Sequence, residues 1–233
     1  LSDASYTGKG SDGMKIASGI MTAGEWHHIV GVNDNGTRKL YVNGELQPLT
    51  GTPNSIKVNK DPLRIGVDYS SRFFHGEVDE ARIWKIALTE EQIRASMHVP
   101  LDGSEPGLTC YFQFNEEEGA HTYDFISGLI GDLHHMENHD RVKSTIPFGH
   151  GSVDRQIVSS SGNVVFQGTG FTADFTSYSG TDTIYVSRID TVPNDLPATV
   201  DTVYDSQYWA IQKYGNGSFG ANVSFTVTED LTS

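Results

Sequence analysis

The stretch Thr37–Leu46, TRKLYVNGEL, constrains the fold most. Asn43-Gly44 lies among dense strand signals, and a two-residue Asn-Gly link between such runs marks a hairpin. Asn-Gly is the dipeptide that most readily takes positive φ at two successive positions, as a two-residue hairpin turn demands. The chain is thus forced into antiparallel β structure at this point. The surrounding sequence follows suit. WHHIVGV (26–32) is joined to the hairpin by NDNG, and PLRIGV (62–67) and GEVDEARIW (76–84) read as further strands.

One helix interrupts this pattern, LTEEQIRASM (88–97). Thr89 is placed to cap it, Gln92 follows three residues later as in a capping box, and Leu88 and Ile93 have the spacing of a hydrophobic staple. VPLDGSEPG (99–107) is a turn-rich link to a strand in LTCYFQFNE (108–116), followed by YDFISG (123–128) and a polar run to about Gly151. Past that point short strands recur between Gly, Asn and Asp. The last, SFGANVSFTV (218–227), alternates without a break, with Phe219, Ala221, Val223, Phe225 and Val227 on one face. Short strands at this spacing describe a small β-sandwich. The expected organisation is therefore a domain over 1–150 and a sandwich over 151–233, with the boundary near 149–154.

Composition narrows the function classes. The net charge is −14, and acidic residues outnumber basic ones in both halves. No basic stripe is available for phosphate backbones or anionic lipid, so neither nucleic-acid binding nor membrane adhesion is expected. No apolar run approaches the roughly 18 residues of a membrane span. Cys110 is the only cysteine, so an intrachain disulfide is impossible. It lies in an apolar strand and reads as inert rather than nucleophilic. The acidic surface fits a solvated extracellular protein or one that gathers divalent cations. The chain begins at Leu1 without a signal-like segment and reads as a piece of something longer.

The series GEWHHIVGV, RKLYVNGEL, LRIGV and FFHGEVDEARIWKIALTEEQI resembles the laminin G-like jelly rolls of the concanavalin A-like lectin/glucanase superfamily. GLTCYFQFNEEEGAHTYDFISG is similar to a segment that follows such domains in secreted proteins of Bacteroidota. The last 80 or so residues resemble a β-sandwich module of the same surface proteins. The resemblance implies an all-β chain: an N-terminally incomplete laminin G-like jelly roll followed by a small Ig-like sandwich. Only about 25 residues precede the Trp-His-His strand, which would leave sheet edges and core open. The missing strands are expected upstream in the parent protein or from a partner chain that completes the jelly roll.

Glucanases of the superfamily carry Glu-apolar-Asp-x-(x)-Glu on their catalytic strand, which EVDE, Glu77 to Glu80, resembles. A retaining glycosidase needs two carboxyl groups about 5–5.5 Å apart. If the segment is a regular strand, Glu77 and Asp79 share one face and Glu80 points to the other. The position for a third carboxylate in the same cleft holds Ala81 or Arg82. This counts against catalysis. On the same alternation Asp79 faces the core with Ala81 and Ile83, while Glu80 and Arg82 pair opposite. A buried carboxylate must be hydrogen-bonded or metal-bound. The resemblance implies calcium as the metal for Asp79, since its ligands are hard oxygens.

For ligand binding, VDYSSRFFHG offers Asp68, Tyr69 and Arg72 in a loop ahead of Phe73 and Phe74, with Tyr69 as the exposed ring and at least one phenylalanine in the core. His27 and His28 are adjacent on a strand, so one faces inward and the two cannot share a zinc ion from one face. HHMENHD (134–140) sets His135 and His139 four apart but lacks an apolar helical period, and reads as a solvated loop. In the second module Asp182-Thr183-Ile184, Asp190-Thr191-Val192 and Asp201-Thr202-Val203 match the pattern at which Bacteroidota O-glycosylate exported proteins. Thr183, Thr191 and Thr202 are the expected acceptors. The expected function is non-catalytic binding of a glycan or cell-surface ligand, and adhesion, by a secreted or cell-surface bacterial protein. The alternatives are an ancillary part of a secreted glycoside hydrolase or other hydrolase, and a purely structural stalk or assembly module.

Overall fold

The computed structural model describes residues 15–16, 19–51, 60, 62–68, 72–194 and 206–227. It is an all-β protein: every strand pairing among the described residues is antiparallel. No helix among them is long and apolar enough to cross a membrane. Contacts divide the chain into two units, Leu1–Glu90 with Asp102–Ser144, and Glu91–Leu101 with Thr145–Ser233.

The first unit is a set of small sheets. β1 (Lys15–Ile16) pairs with β5 (Leu49–Thr50), and β2 (Ile29–Asp34), β3 (Thr37–Val42) and β4 (Glu45–Gln47) form a meander. Both meander turns are Asn-Gly: Asn35 and Gly36 have φ of 49° and 90°, Asn43 and Gly44 of 50° and 75°. Two successive positive φ values give the turn whose twist matches the strands it joins. Asn43 also accepts a hydrogen bond from His28 N at Oδ1 (2.9 Å). The strand reading of Trp26–His28 is corrected here, because β2 starts at Ile29. His27 is occupied locally instead, its Nε2 lying 3.0 Å from Thr22 N and 3.1 Å from Thr22 O.

β6 (Val67–Asp68) and β7 (Arg72–Phe73) form a short hairpin, β8 (Ala81–Trp84) pairs with β9 (Leu108–Phe112), and β10 (His121–Tyr123) pairs with β11 (Ile130–Asp132). Asp124 ties the last two pairs together. It is buried, and Oδ1 accepts hydrogen bonds from Tyr111 N (2.6 Å) and Ile126 N (3.2 Å). Oδ2 accepts from Ser127 N (3.0 Å) and from the Ser127 hydroxyl. Burial raises the Asp124 pKa, but these four donors outweigh it and hold the carboxyl below its ordinary value.

The second unit is a sandwich of two three-stranded sheets. β12 (Gly151–Val158), β15 (Asp182–Ile189) and β16 (Tyr208–Gly215) form one, with β15 central. β13 (Gly162–Phe166), β14 (Phe171–Ser179) and β17 (Ser218–Phe225) form the other, with β14 central. Val158, Phe166, Phe171, Ala173, Phe175, Ile184 and Val186 make the core between them.

The sequence-predicted helix exists as α1 (Glu90–Ala95), with Ile93 fully buried. All of it but Glu90 belongs to the second unit. Glu91 Oε1 lies 2.9 Å from Arg155 Nε on β12, and the Arg94 guanidinium sits 3.7 Å from the Tyr214 ring centroid on β16. Tyr185 and Ile189 on the same side of β15 are buried. The central strand is therefore covered on both faces, which explains the nearly continuous burial of residues 184–187.

Candidate functional site

The segment His75–Trp84 is only half a strand: pairing begins at Ala81, and Glu80 has φ of 55°. Asp79 Oδ1 accepts a hydrogen bond from Glu80 N at 2.9 Å, which supports the turn just before the strand. Face counting from Glu77 through Asp79 therefore fails at Glu80. Asp79 is half-buried, Glu77 is exposed, and Ile83, the expected core companion of Asp79, is exposed as well.

Glu80 is enclosed, unlike Glu77. Its side chain is 13% exposed and that of Arg82 is 9%. Arg82 Nη2 lies 3.0 Å from Glu80 Oε2, so the predicted pair forms. A third member was missed by sequence reasoning: the Tyr111 hydroxyl donates to the same oxygen. Arg82 and Tyr111 are register partners on β8 and β9, and the guanidinium lies 4.9 Å from the Tyr111 ring centroid. Burial raises the Glu80 pKa against the lowering effect of Tyr111 and Arg82, and burial and the bond to Glu80 raise that of Tyr111. No spacing rule in the sequence could have found Tyr111, because the contact spans 31 positions.

The expected ligand loop is a hairpin. Asp68 and Arg72 are Cα partners across β6 and β7, Val67 faces Phe73, and Phe74 N donates to Gly66 O at 2.8 Å. Tyr69 lies outside the described residues. Phe73 is 61% exposed, so a phenylalanine supplies an open ring on this hairpin. Phe74 is half-buried, its ring packed over Gly76, where a Cβ would meet it at 2.8 Å.

No group of three or more His, Cys, Asp or Glu side chains suited to a metal gathers among the described residues. Asp79 therefore has no partner ligands of that kind there, and a calcium ion on it would need oxygens from elsewhere. His135 and His139 are exposed in a segment whose only regular turn is a 3-10 helix at Asn138–Asp140. His139 lies between Glu137 and Asp140, at 3.5 and 3.6 Å. His121 pairs across β10 and β11 with Asp132 at 2.9 Å. Cys110 is half-buried, and burial together with the Asp124 carboxylate pushes its thiol up to about 11, which suppresses the thiolate.

In the second unit Thr183 is half-buried within central strand β15, and Thr191 is exposed in the loop that follows it. Thr202 lies outside the described residues. Asp182, beside Thr183, is buried and engaged: it accepts hydrogen bonds from Tyr178 Oη (2.5 Å) and Gly217 N (2.8 Å), with Lys213 Nζ 3.4 Å away.

Residues 4–94 match the family model of the concanavalin A-like lectin/glucanases superfamily. The all-β architecture agrees with a sandwich of that type, and a domain of this superfamily is compatible with carbohydrate binding. No curated protein and no solved structure matches the chain.

Proposed function

We propose that the first unit is a non-catalytic module that binds a glycan or cell-surface ligand, within a larger secreted or cell-surface adhesion protein, and that the sandwich serves as its spacer. The observation that carries this reading is Phe73, an open aromatic ring on a hairpin inside the segment that matches the lectin/glucanase superfamily. Flat aromatic faces flanked by polar groups suit sugar rings, and loops at strand ends are where scaffolds of this kind present such groups. Asp68 and Arg72 are register partners on the same hairpin as Phe73.

The non-catalytic half of the proposal rests on Glu80. Arg82 and Tyr111 share its Oε2, which suits an anchor between β8 and β9 better than a group waiting for a glycosidic oxygen. A calcium ion on this module would be held through Asp79 and further oxygens. Export and surface display would suit O-linked modification at Thr191, an exposed threonine after an aspartate.

A glycan array run with calcium and with chelator tests the reading. Specific signals that fall on Phe73→Ala support it, and a signal lost only with chelator adds the calcium arm. An array without a single specific glycan in either buffer overturns it. Hydrolysis of a β-glucan by the chain, abolished in Glu77→Gln, overturns the non-catalytic half.

A further inference from the structure

We infer that β17 is a self-association edge, through which two copies of this chain pair antiparallel about a two-fold axis at Asn222. The argument starts from the sheet order. β17 follows β14 in the order β13-β14-β17, and no strand among the described residues lies on its other side. An open edge offers a row of backbone donors and acceptors to any incoming strand. Soluble proteins blunt such edges with charge, proline or shortness. β17 has none of these: it is eight residues long, SFGANVSF, with neither a charged residue nor a proline.

The apolar face of the strand is also incompletely covered. Phe219, Ala221, Val223 and Phe225 register with Tyr178, Phe175, Ala173 and Phe171 of β14, so they look toward the sandwich interior. Yet Phe219 is 40% exposed, Val223 52% and Phe225 45%. Ile211 on β16, which registers with the core residue Val186, is exposed too. The sandwich is open along this edge.

The identity of the occupant follows from the pattern of β17 itself. Phe219-Gly220-Ala221-Asn222-Val223-Ser224-Phe225 repeats its residue classes when read backward from Asn222. In an antiparallel pair, residues directly opposite share a face, and a slip of one position sets inward residues against outward ones. Centring on Asn222 avoids that conflict. It sets Phe219 against the partner's Phe225, Ala221 against the partner's Val223, and Gly220 against the partner's Ser224. Aromatic pairs at both ends and small residues in the middle are favourable cross-strand combinations. β17 itself carries no charge into the seam.

The outer face gives a sharp test. Asp174 is the register partner of Asn222 and is exposed, so Asp174, Asn222, the partner's Asn222 and the partner's Asp174 form one row across the seam. Asn222→Asp turns this into a row of four carboxylates. Sedimentation velocity over a concentration series should show wild type dimerising and Asn222→Asp associating about tenfold more weakly or worse. A thermal melt of the variant confirms that it is folded.

Asn222→Cys in a Cys110→Ser background supplies the second measurement. Directly opposed Cα atoms lie about 4.5–5.5 Å apart, within reach of a disulfide. Residue 218 lies four positions from the axis, which separates its two copies by roughly 27 Å. Asn222→Cys should thus oxidise to a covalent dimer much faster than Ser218→Cys. A chain that stays monomeric throughout the series overturns the inference. So does a dimer that Asn222→Asp leaves intact and that crosslinks no faster at 222 than at 218.

Discussion

The buried carboxylate of Asp182 accepts a hydrogen bond from Gly217 N at 2.8 Å, which fastens the start of the central strand β15 to the β16–β17 turn. Tyr178 Oη and Lys213 Nζ complete the set, and Lys213 also donates to Gly217 O at 2.9 Å. Both glycines of the turn are fitted to this carboxylate. A Cβ at Gly215 or at Gly217 would fall inside contact distance of an Asp182 oxygen, and Gly215 has φ of 135°.

Asp182→Ala should therefore destabilise the second unit by about 2–4 kcal/mol, because the half-buried Tyr178 hydroxyl and a backbone N–H lose their acceptor. Gly217→Ala should cost about 1–3 kcal/mol through overpacking. Urea titrations followed by Trp209 fluorescence, with the midpoint as readout, check both. Burial raises the Asp182 pKa, but Tyr178, Gly217 and Lys213 lower it further, so the folded value lies below the ordinary 3.8. The stabilisation is complete above 3.8 and is lost as pH falls through the folded value. In Asp182→Asn this component of the acid sensitivity should be gone.

Asp182 also marks the limit of what the sequence could convey. Asp182-Thr183-Ile184 reads as a modification pattern, and nothing in it shows that Asp182 is buried with partners up to 35 positions away. Asn43-Gly44 was legible because its constraint is local: two positive φ values select the dipeptide regardless of context. The helix at Glu90–Ala95 was legible from its pattern, but its attachment to Arg155 and Tyr214 was not, since amphipathicity gives a buried face without naming what covers it. EVDE misled in its faces because alternation presumes extended backbone, and Glu80 leaves it. The Glu80–Arg82 pair survived because the two residues remain close in the chain.

Tyr111→Phe and Glu80→Ala separate the members of the other carboxylate cluster. Tyr111→Phe removes one donor and leaves Arg82 on Glu80, so about 1 kcal/mol is expected. Glu80→Ala takes the carboxylate from the enclosed Arg82 guanidinium and should cost about 2–4 kcal/mol. Equal losses in the two variants, measured by denaturant unfolding of the first unit, would contradict the assignment of Arg82 as the main dependent.

Asp124→Ala removes the acceptor of four hydrogen bonds that hold the turn after β10 to Tyr111. A loss of about 3 kcal/mol is expected, against about 1 kcal/mol for Ser127→Ala, which leaves the carboxylate in place. Hydrogen exchange at Tyr111 N and Ser127 N should accelerate in Asp124→Ala. Because the folded carboxyl lies below its ordinary 3.8, this stabilisation too is present above that pH and fades below it.

His98 links the second unit to pH in a nearer range. Its Nδ1 lies 2.6 Å from Pro147 O, which can only accept, so Nδ1 carries the proton and Nε2 is left as acceptor for the Gln212 amide. Burial holds the ring below the ordinary 6.5 against the raising effect of the Pro147 and Gln212 contacts. The unfolded chain therefore binds the proton first as pH falls. The stability contributed by neutral His98 is complete above 6.5 and declines below it, down to the folded value. Each unit of depression is worth about 1.4 kcal/mol. Denaturant midpoints of the second unit taken from about pH 7.5 to about pH 5 should fall in wild type, and the slope should flatten in His98→Gln. An unchanged slope in that variant would assign the pH dependence to another histidine.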